Sequence, residues 1–378
     1  MADNQKKSKF KTALILSGGG ARAAYQVGAL KAISELIPEG SENPFPILCG
    51  TSAGSINAIG LASNASNFHH AVARVLQVWS NFELKHVFHV DGLHLFGRIG
   101  RWMWTHFAFG DWRDGPGSIL NNNPLRKLLN QYINFDKINA AIEKGDLHAY
   151  CITACSYTSG ESSTFFDGHK SIENWSRTHR EGVREKITLD HLMASSAIPI
   201  IFESVKIREE YYGDGSMRQA SPISPAIHLG ADKILIIGLK KESKIGLHEA
   251  PEHHPSLSEI SGYVLDTLFL NSLRSDVERM ERINKTVETK TCESSLKKID
   301  HFVINPSKDI ANIANKYYKN LPICFRITLT FLGINKGNSR RFMSYLMFIK
   351  PFCEELIELG YQDAMQQQAE LRKFLEIA

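Results

Sequence analysis

Within its first 62 residues the chain twice passes from a short apolar run through a glycine turn into a helical pattern. The run Thr12 to Ser17 ends in Gly18, Gly19 and Gly20, and Tyr25, Val27, Leu30 and Ile33 then recur at helical spacing until Pro38 and Gly40. After a polar break at Ser41 to Asn43, the run Phe45 to Cys49 breaks at Gly50, and Ser55 to Ala62 reads as a second helix. Strand, turn and helix repeated in that order point to a parallel sheet covered by helices. The expected fold class is therefore α/β, with Ala149 to Ala154, Ile234 to Leu239 and Phe302 to Asn305 as further buried strands.

Later segments read differently. Lys240 to Ser258 is polar, proline-containing and aperiodic, which predicts a surface linker. Ile260, Val264, Leu268, Leu273, Val277 and Met280 then mark one face of a long amphipathic helix over 260–283. Phe342 to Ile349 and Phe352 to Ile377 are helical by pattern, so 311–378 is expected to be a helical extension. Over 378 residues, 43% hydrophobic and 22% charged content exclude a disordered or collagen-like chain. Six cysteines without a C-x-x-C pair read as reduced thiols, so neither a disulfide framework nor a structural zinc site is expected. No run approaches the roughly 18 apolar residues of a membrane span. Lysines 6, 7, 9 and 11 make residues 1–10 a basic arm with no signal-peptide core behind it, which predicts a cytoplasmic protein, although export without a cleaved signal would leave no such trace. A net charge of +4 gives no reason to expect a nucleic-acid partner.

Two glycine-rich turns carry the candidate chemistry. Gly18-Gly19-Gly20-Ala21-Arg22 lies between strand and helix, where outward amides suit negative charge. A plain tight turn is the bland alternative. A dinucleotide site is the sharper one, since Gly18-x-Gly20-x-x-Ala23 approaches that fingerprint, but the second strand ends in Cys49-Gly50-Thr51-Ser52 rather than in the acidic residue a ribose requires. Gly50-Thr51-Ser52-Ala53-Gly54 has the form of a nucleophile elbow, in which small neighbours leave a serine hydroxyl exposed above the sheet; the competing reading is a glycine turn capped by Ser52. A serine needs a base. Ser52 comes too early for an α/β-hydrolase, and the late histidines at 228, 248, 253, 254 and 301 have no distinctive context. Aspartate is the other choice, but Asp91, Asp114, Asp167 and Asp214 all precede glycine, and Asp-Gly is above all a turn signal. The residues alone do not choose among them.

Taken together, Gly18 to Arg22, Gly50 to Gly54, Ala194-Ser195-Ser196-Ala197-Ile198-Pro199 and Tyr212-Gly213-Asp214-Gly215 resemble, in order and spacing, the patatin-like phospholipases. The resemblance runs from about Thr12 to Leu239, and the region after Ser258 is similar to the C-terminal extension of bacterial members. It implies a three-layer sandwich with a mainly parallel central sheet, a catalytic domain over 11–310, and no cofactor or metal. It also implies a Ser-Asp dyad, with Ser52 as nucleophile, Asp214 as base, Gly18, Gly19, Gly20, Ala21 and Arg22 as the oxyanion site, and Gly50 and Gly54 flanking the elbow. Arg22 has three readings: oxyanion stabiliser, lipid-phosphate ligand or buttress. The family usually has glycine where this chain has Ala23, and glycine or alanine where it has Ser216, whose hydroxyl is placed to bond Asp214.

The activity so implied is hydrolysis of lipid carboxylic esters through an acyl-enzyme. The alternatives are acyl transfer by the same dyad and a silent lipid-binding module. Residues 79–112 hold four of the five tryptophans, together with phenylalanines 82, 88, 96, 107 and 109, and form a lid or peripheral-membrane candidate beside the phospholipid substrate. Core packing is the competing reading for most of these rings. His86, His89, His94 and His106 share the segment without a cysteine or acidic residue at metal-ligand spacing.

Overall fold

The computed structural model describes residues 11–89, 117–242, 257–289, 296–331 and 340–377, with isolated positions 97, 100, 101, 104 and 254. The basic arm and most of the 240–258 linker lie outside them. The ten described strands are β1 (Thr12–Leu16), β2 (Ile47–Thr51), β3 (Ala149–Ser156), β4 (Ser162–Gly168), β5 (Trp175–Arg177), β6 (Arg180–Arg184), β7 (Val205–Ile207), β8 (Glu210–Asp214), β9 (Lys233–Ile237) and β10 (Asp300–Ile304). They form one sheet in the order β10-β9-β1-β2-β3-β4-β6-β5, with β8 also on β3 and β7 on β8. The run from β10 to β3 is parallel throughout, whereas β4 and β8 meet β3 antiparallel.

The layering follows from the two-residue period of a strand. Leu14 and Leu16 of β1, Leu48 of β2 and Leu235 and Ile237 of β9 enter one core. Their neighbours Ala13, Ile15, Ile47, Cys49, Ile234 and Ile236 enter a second core on the opposite face. Strands buried on both faces need helices on both, which gives three layers. The first layer holds α1 (Ala24–Leu36), α2 (Ala53–Ala62) and α3 (Phe68–Ser80). A short helix, α4 (Leu189–Ser195), packs beside β3 and β8. The chain from Leu257 to Thr289 runs as α5 (Leu257–Asp266), a π-helical turn (Thr267–Asn271) whose Phe269 and Leu270 enter the first core, and α6 (Ser272–Thr289), whose Leu273 and Met280 reach the second. The amphipathic pattern over 260–283 thus gives one long helix with an irregular turn that the pattern does not show.

The C-terminal helices α7 (Arg340–Leu346) and α8 (Lys350–Gln366) belong to the first layer, where Tyr345, Phe352 and Leu356 join the same core as Leu14 and Leu30. Helix α8 crosses α1 at a glycine pair. A Cβ on Gly28 would fall 1.8 Å from the carbonyl oxygen of Ile357, and one on Gly360 2.0 Å from that of Tyr25, so the two backbones touch. Tyr25 Oη also donates to Asp363 at 3.0 Å across the crossing. Gly360→Val is expected to lower the unfolding free energy by about 3 kcal/mol or more, as overpacking of an unyielding contact does. An unchanged melting temperature would show that the helices are not held this closely in solution.

Candidate active site

The two glycine turns sit side by side because β1 and β2 are parallel neighbours whose carboxyl ends face the same way. Ser52 follows β2 with φ 53° and ψ −129°, a left-handed conformation that costs a non-glycine residue about 1–3 kcal/mol and aims its side chain out of the sheet. The turn closes only because Gly54 is bare, since a Cβ there would lie 2.1 Å from the carbonyl oxygen of Leu16. The amide of Ser52 donates to Ser195 Oγ at 3.0 Å, and Ser195 Oγ in turn donates to the carbonyl of Thr153 at 2.7 Å, tying the strained turn to α4 and β3. Ser55 Oγ donates to the Ser52 carbonyl at 2.5 Å.

Asp214 ends β8, and register brings it to Ser52. Thr51 is level with Thr153 across β2 and β3, while Ala154 is level with Asp214 across β3 and β8. Ser52 Oγ donates to Asp214 Oδ2 at 2.5 Å, and the Ser216 amide donates to Oδ1 at 2.9 Å. The Ser216 amide holds one carboxylate oxygen, and the expected Ser216 hydroxyl adds a smaller downward pull on the same carboxyl without the alignment of a full hydrogen bond. Burial pushes the Asp214 carboxyl up to about 7, against the opposing pull of the Ser52 hydroxyl and the Ser216 amide. That is the range of a working general base at neutral pH. Of the Asp-Gly aspartates, only Asp167 and Asp214 lie among the described residues. Asp167 instead pairs with Arg184 at 3.2 Å.

The Gly18 to Ala21 turn lies against the Ser52 side chain, since a Cβ on Gly18 would fall 2.9 Å from the Ser52 Cβ. Gly20 has φ +55° and opens a helical turn, Gly20–Ala23, whose first amides have no intrahelical acceptor. Arg22 turns away from Ser52. It is buried, with Nη1 3.0 Å from Asp266 Oδ1, Nε donating to Ser344 Oγ at 2.7 Å, Nη2 donating to the Arg341 carbonyl at 3.1 Å, and the guanidinium 4.0 Å from the centre of the Tyr345 ring. Ala23 is buried, and its methyl is accommodated in the core.

A cavity lined by Ser52, Gly20, Ile56, Trp79, Phe82 and Phe348, among others, opens beside the hydroxyl. Its volume is about 30 Å³, room for two or three waters and not for an acyl chain. Ser52 is 1% exposed and Asp214 0%, so the site is closed. Trp79 stacks on Phe82 with centroids 4.9 Å apart, Phe348 lies 5.6 Å from Phe82, and the Trp79 indole donates to Asn57 at 2.7 Å. Trp79, Phe82 and Phe88 are therefore pocket and core residues, as the core-packing reading expected; Trp104 is exposed. Trp102, Trp112, Phe96, Phe107, Phe109, His94 and His106 lie outside the described residues. Among the described residues no group of three His, Cys, Asp or Glu side chains is placed to hold a metal ion, and no helix is long and apolar enough to cross a membrane.

Sequence reasoning gave no role to Ser195, although it lies in the quoted Ala194 to Pro199 block. Asp266, Ser344 and Tyr345, which hold Arg22, carry no local signal at all.

The chain belongs to the patatin-like phospholipase family, whose pattern it matches over residues 14–227. It is 25% identical over 217 residues to the cGAMP-activated phospholipase of Pseudomonas aeruginosa (strain BWHPSA011 / Pa011), a match that covers 55% of this chain and 53% of that protein, so it aligns with about half the length of this relative. Among solved structures it is similar to VipD from Legionella pneumophila, at 10% identity and TM-score 0.35 over 96% of this chain and 67% of that one. It is also similar to human GIVD cytosolic phospholipase A2, at 11% identity and TM-score 0.45 over 97% and 60%.

Proposed function

We infer that the chain is a serine acyl hydrolase that cleaves carboxylic esters of lipids, with Ser52 as nucleophile and Asp214 as its base. The observation that carries this reading is the 2.5 Å hydrogen bond from a strained elbow serine to a fully buried carboxylate. A carboxyl held near neutrality takes the Ser52 proton as Oγ attacks the ester carbonyl. The amides of Gly19, Gly20 and Ala21 face the developing oxyanion, and each such donor is worth roughly 2.7–4 kcal/mol. The protonated Asp214 then delivers its proton to the leaving alcohol, and water deprotonated by the same carboxylate releases the acyl group from Ser52. The apolar wall of Ile56, Trp79 and Phe348 suits an acyl chain. The substrate would be met at a membrane surface. The test is a fluorophosphonate probe, with its adduct mapped by mass spectrometry, followed by product analysis on vesicles of mixed phospholipid, which are also sedimented to read surface binding. A Ser52 adduct with released fatty acid is expected. An unlabelled Ser52 with no released acid would leave a lipid-binding module, and acyl groups appearing on an added alcohol would mark a transferase.

The closed pocket favours a second element of this reading, namely activation. A relative is named for activation by cGAMP, so cGAMP is a candidate activator here. Equal fatty-acid release with and without it would remove that element.

A further inference from the structure

A second cavity, of about 90 Å³, lies on the other side of the Gly18 to Gly20 turn, between Ser17, Leu239 and Asn305 at the carboxyl ends of β1, β9 and β10 and the π-helical turn with α6. Chain order reverses here, since β1 is flanked by β2 on one side and β9 on the other; the crevice at such a reversal is where open α/β sheets bind ligands. π-Helical turns are likewise frequent at functional sites.

The cavity has a two-sided chemistry. Leu239, Phe269, Leu270 and Val303 give it an apolar wall, and Lys240, Lys241 and Arg274 give it a cationic rim. Glu242 also lines it, but accepts from Asn305 Nδ2 at 3.1 Å. Arg274 Nε lies 3.3 Å from Glu278 in an exposed pair, and Lys240 Nζ donates to Asn271 at 2.5 Å, so both cations hold weak, exchangeable partners. Ser17 lines the same cavity, 8% exposed, with its hydroxyl buried and unpartnered. A buried hydroxyl without a partner is costly and asks for a ligand atom. Charge-assisted bonds from lysine and arginine favour a phosphate oxygen in that role.

We propose that this cavity binds an amphiphilic phosphate ester, with the phosphate at the Lys240, Lys241 and Arg274 rim and the Ser17 hydroxyl, and an apolar body against Leu239 and Phe269. The same walls back the catalytic turn. A Cβ on Gly19 would lie 2.4 Å from Leu239 Cδ1, and one on Gly18 3.0 Å from Phe269 Cδ1. Asp266, which holds Arg22, immediately precedes the π-helical turn that carries Phe269. Occupancy is therefore felt at the oxyanion turn, a consequence that rests on the hydrolase reading above. The ligand would be either the headgroup region of a lipid or a free small phosphate ester.

Calorimetric titration of the Ser52→Ala protein with AMP and with dihexanoyl phosphatidic acid tests the site without turnover. Saturable binding of at least one probe is expected, weakened about tenfold or more by Lys241→Glu with Arg274→Glu. AMP binding points to a free phosphate ester, and binding of the phosphatidic acid alone to a lipid. No binding of either probe up to about 1 mM, or unaltered binding in the charge-reversed variant, overturns the site. With Ser52 intact, the bound probe should change hydrolysis of the neutral ester p-nitrophenyl butyrate by about threefold or more, and the charge-reversed variant should lose that response. Binding with an unchanged rate overturns the coupling to the turn. A parent protein that does not hydrolyse the neutral ester defeats the dyad reading instead, and the titration still judges the site.

Discussion

Asp214→Asn should reduce ester turnover by about 10²–10⁴-fold, the usual worth of a positioned general base, and Ser52→Ala should reduce it to background because no nucleophile remains. Both variants should stay folded, since each exchange is nearly isosteric within an intact backbone network that includes the Ser216 amide and the Ser195 hydroxyl. In the parent, turnover of a soluble ester should rise with pH through about 7, where the buried carboxyl loses its proton. The same shift makes a stability claim of opposite sense. The Asp214 pKa is about 7 in the folded chain against 3.8 for the free group, so the native state holds the proton more tightly than the unfolded one. Its charge therefore costs nothing below about pH 4, costs more as pH rises from there to about 7, and stays at its full cost above. That cost is on the order of 4 kcal/mol at most, taking 1.36 kcal/mol per pKa unit. Asp214→Asn removes it, and should melt higher than the parent at pH 8 with the gain lost at pH 4. A parent that melts as high as the variant at pH 8 would show that the carboxylate is ionised at no cost. Full turnover in either variant would dispose of the dyad.

The parts of this site that were legible in the sequence are those set by local backbone demands. A turn that leaves no space for a Cβ at Gly54, or that requires positive φ at Gly20, advertises itself as glycine. The parallel half of the sheet was legible for a similar reason, because strands buried on both faces are apolar without interruption. The antiparallel half was not. β4 and β8 alternate or carry polar residues such as Ser162, Ser163 and Glu210, and β8 is the strand that ends in Asp214. Selecting Asp214 from the Asp-Gly pairs depended on four motifs read together, since the contact with Ser52 is made by strand register over 162 positions. Nor did any pattern indicate that the C-terminal helices join the same core as β1 and α1. Their apolar faces show that they dock, and only the three-dimensional arrangement shows that they dock on Arg22 and beside the cavity next to Ser52.

Arg22 permits a test that separates its three readings. Its guanidinium is committed to Asp266, Ser344, the Arg341 carbonyl and the Tyr345 ring, and Tyr345 Oη donates to the same Asp266 at 2.8 Å. Removing one partner of a buried ion pair strands the other, at a cost of about 3 kcal/mol when, as here, one partner keeps some exposure. Arg22→Met should therefore lower the melting temperature markedly. It should also lower kcat for a small neutral ester, because the Gly20–Ala23 turn beside Ser52 loses its anchor. Asp266→Asn leaves the arginine in place and is the informative exchange. Where the guanidinium acts as a buttress, Asp266→Asn lowers kcat in the same sense as Arg22→Met, with KM little changed. The double variant should then be barely worse than the worse single one, giving an interaction energy of about 0.5–3 kcal/mol. A guanidinium that stabilised the oxyanion directly would be freed by Asp266→Asn, and kcat would hold or rise. One that held a lipid phosphate would leave the neutral ester untouched in both variants and raise KM only for a phospholipid. The geometry places its weight on the first outcome, since every guanidinium nitrogen of Arg22 is already engaged with elements from the C-terminal third of the chain.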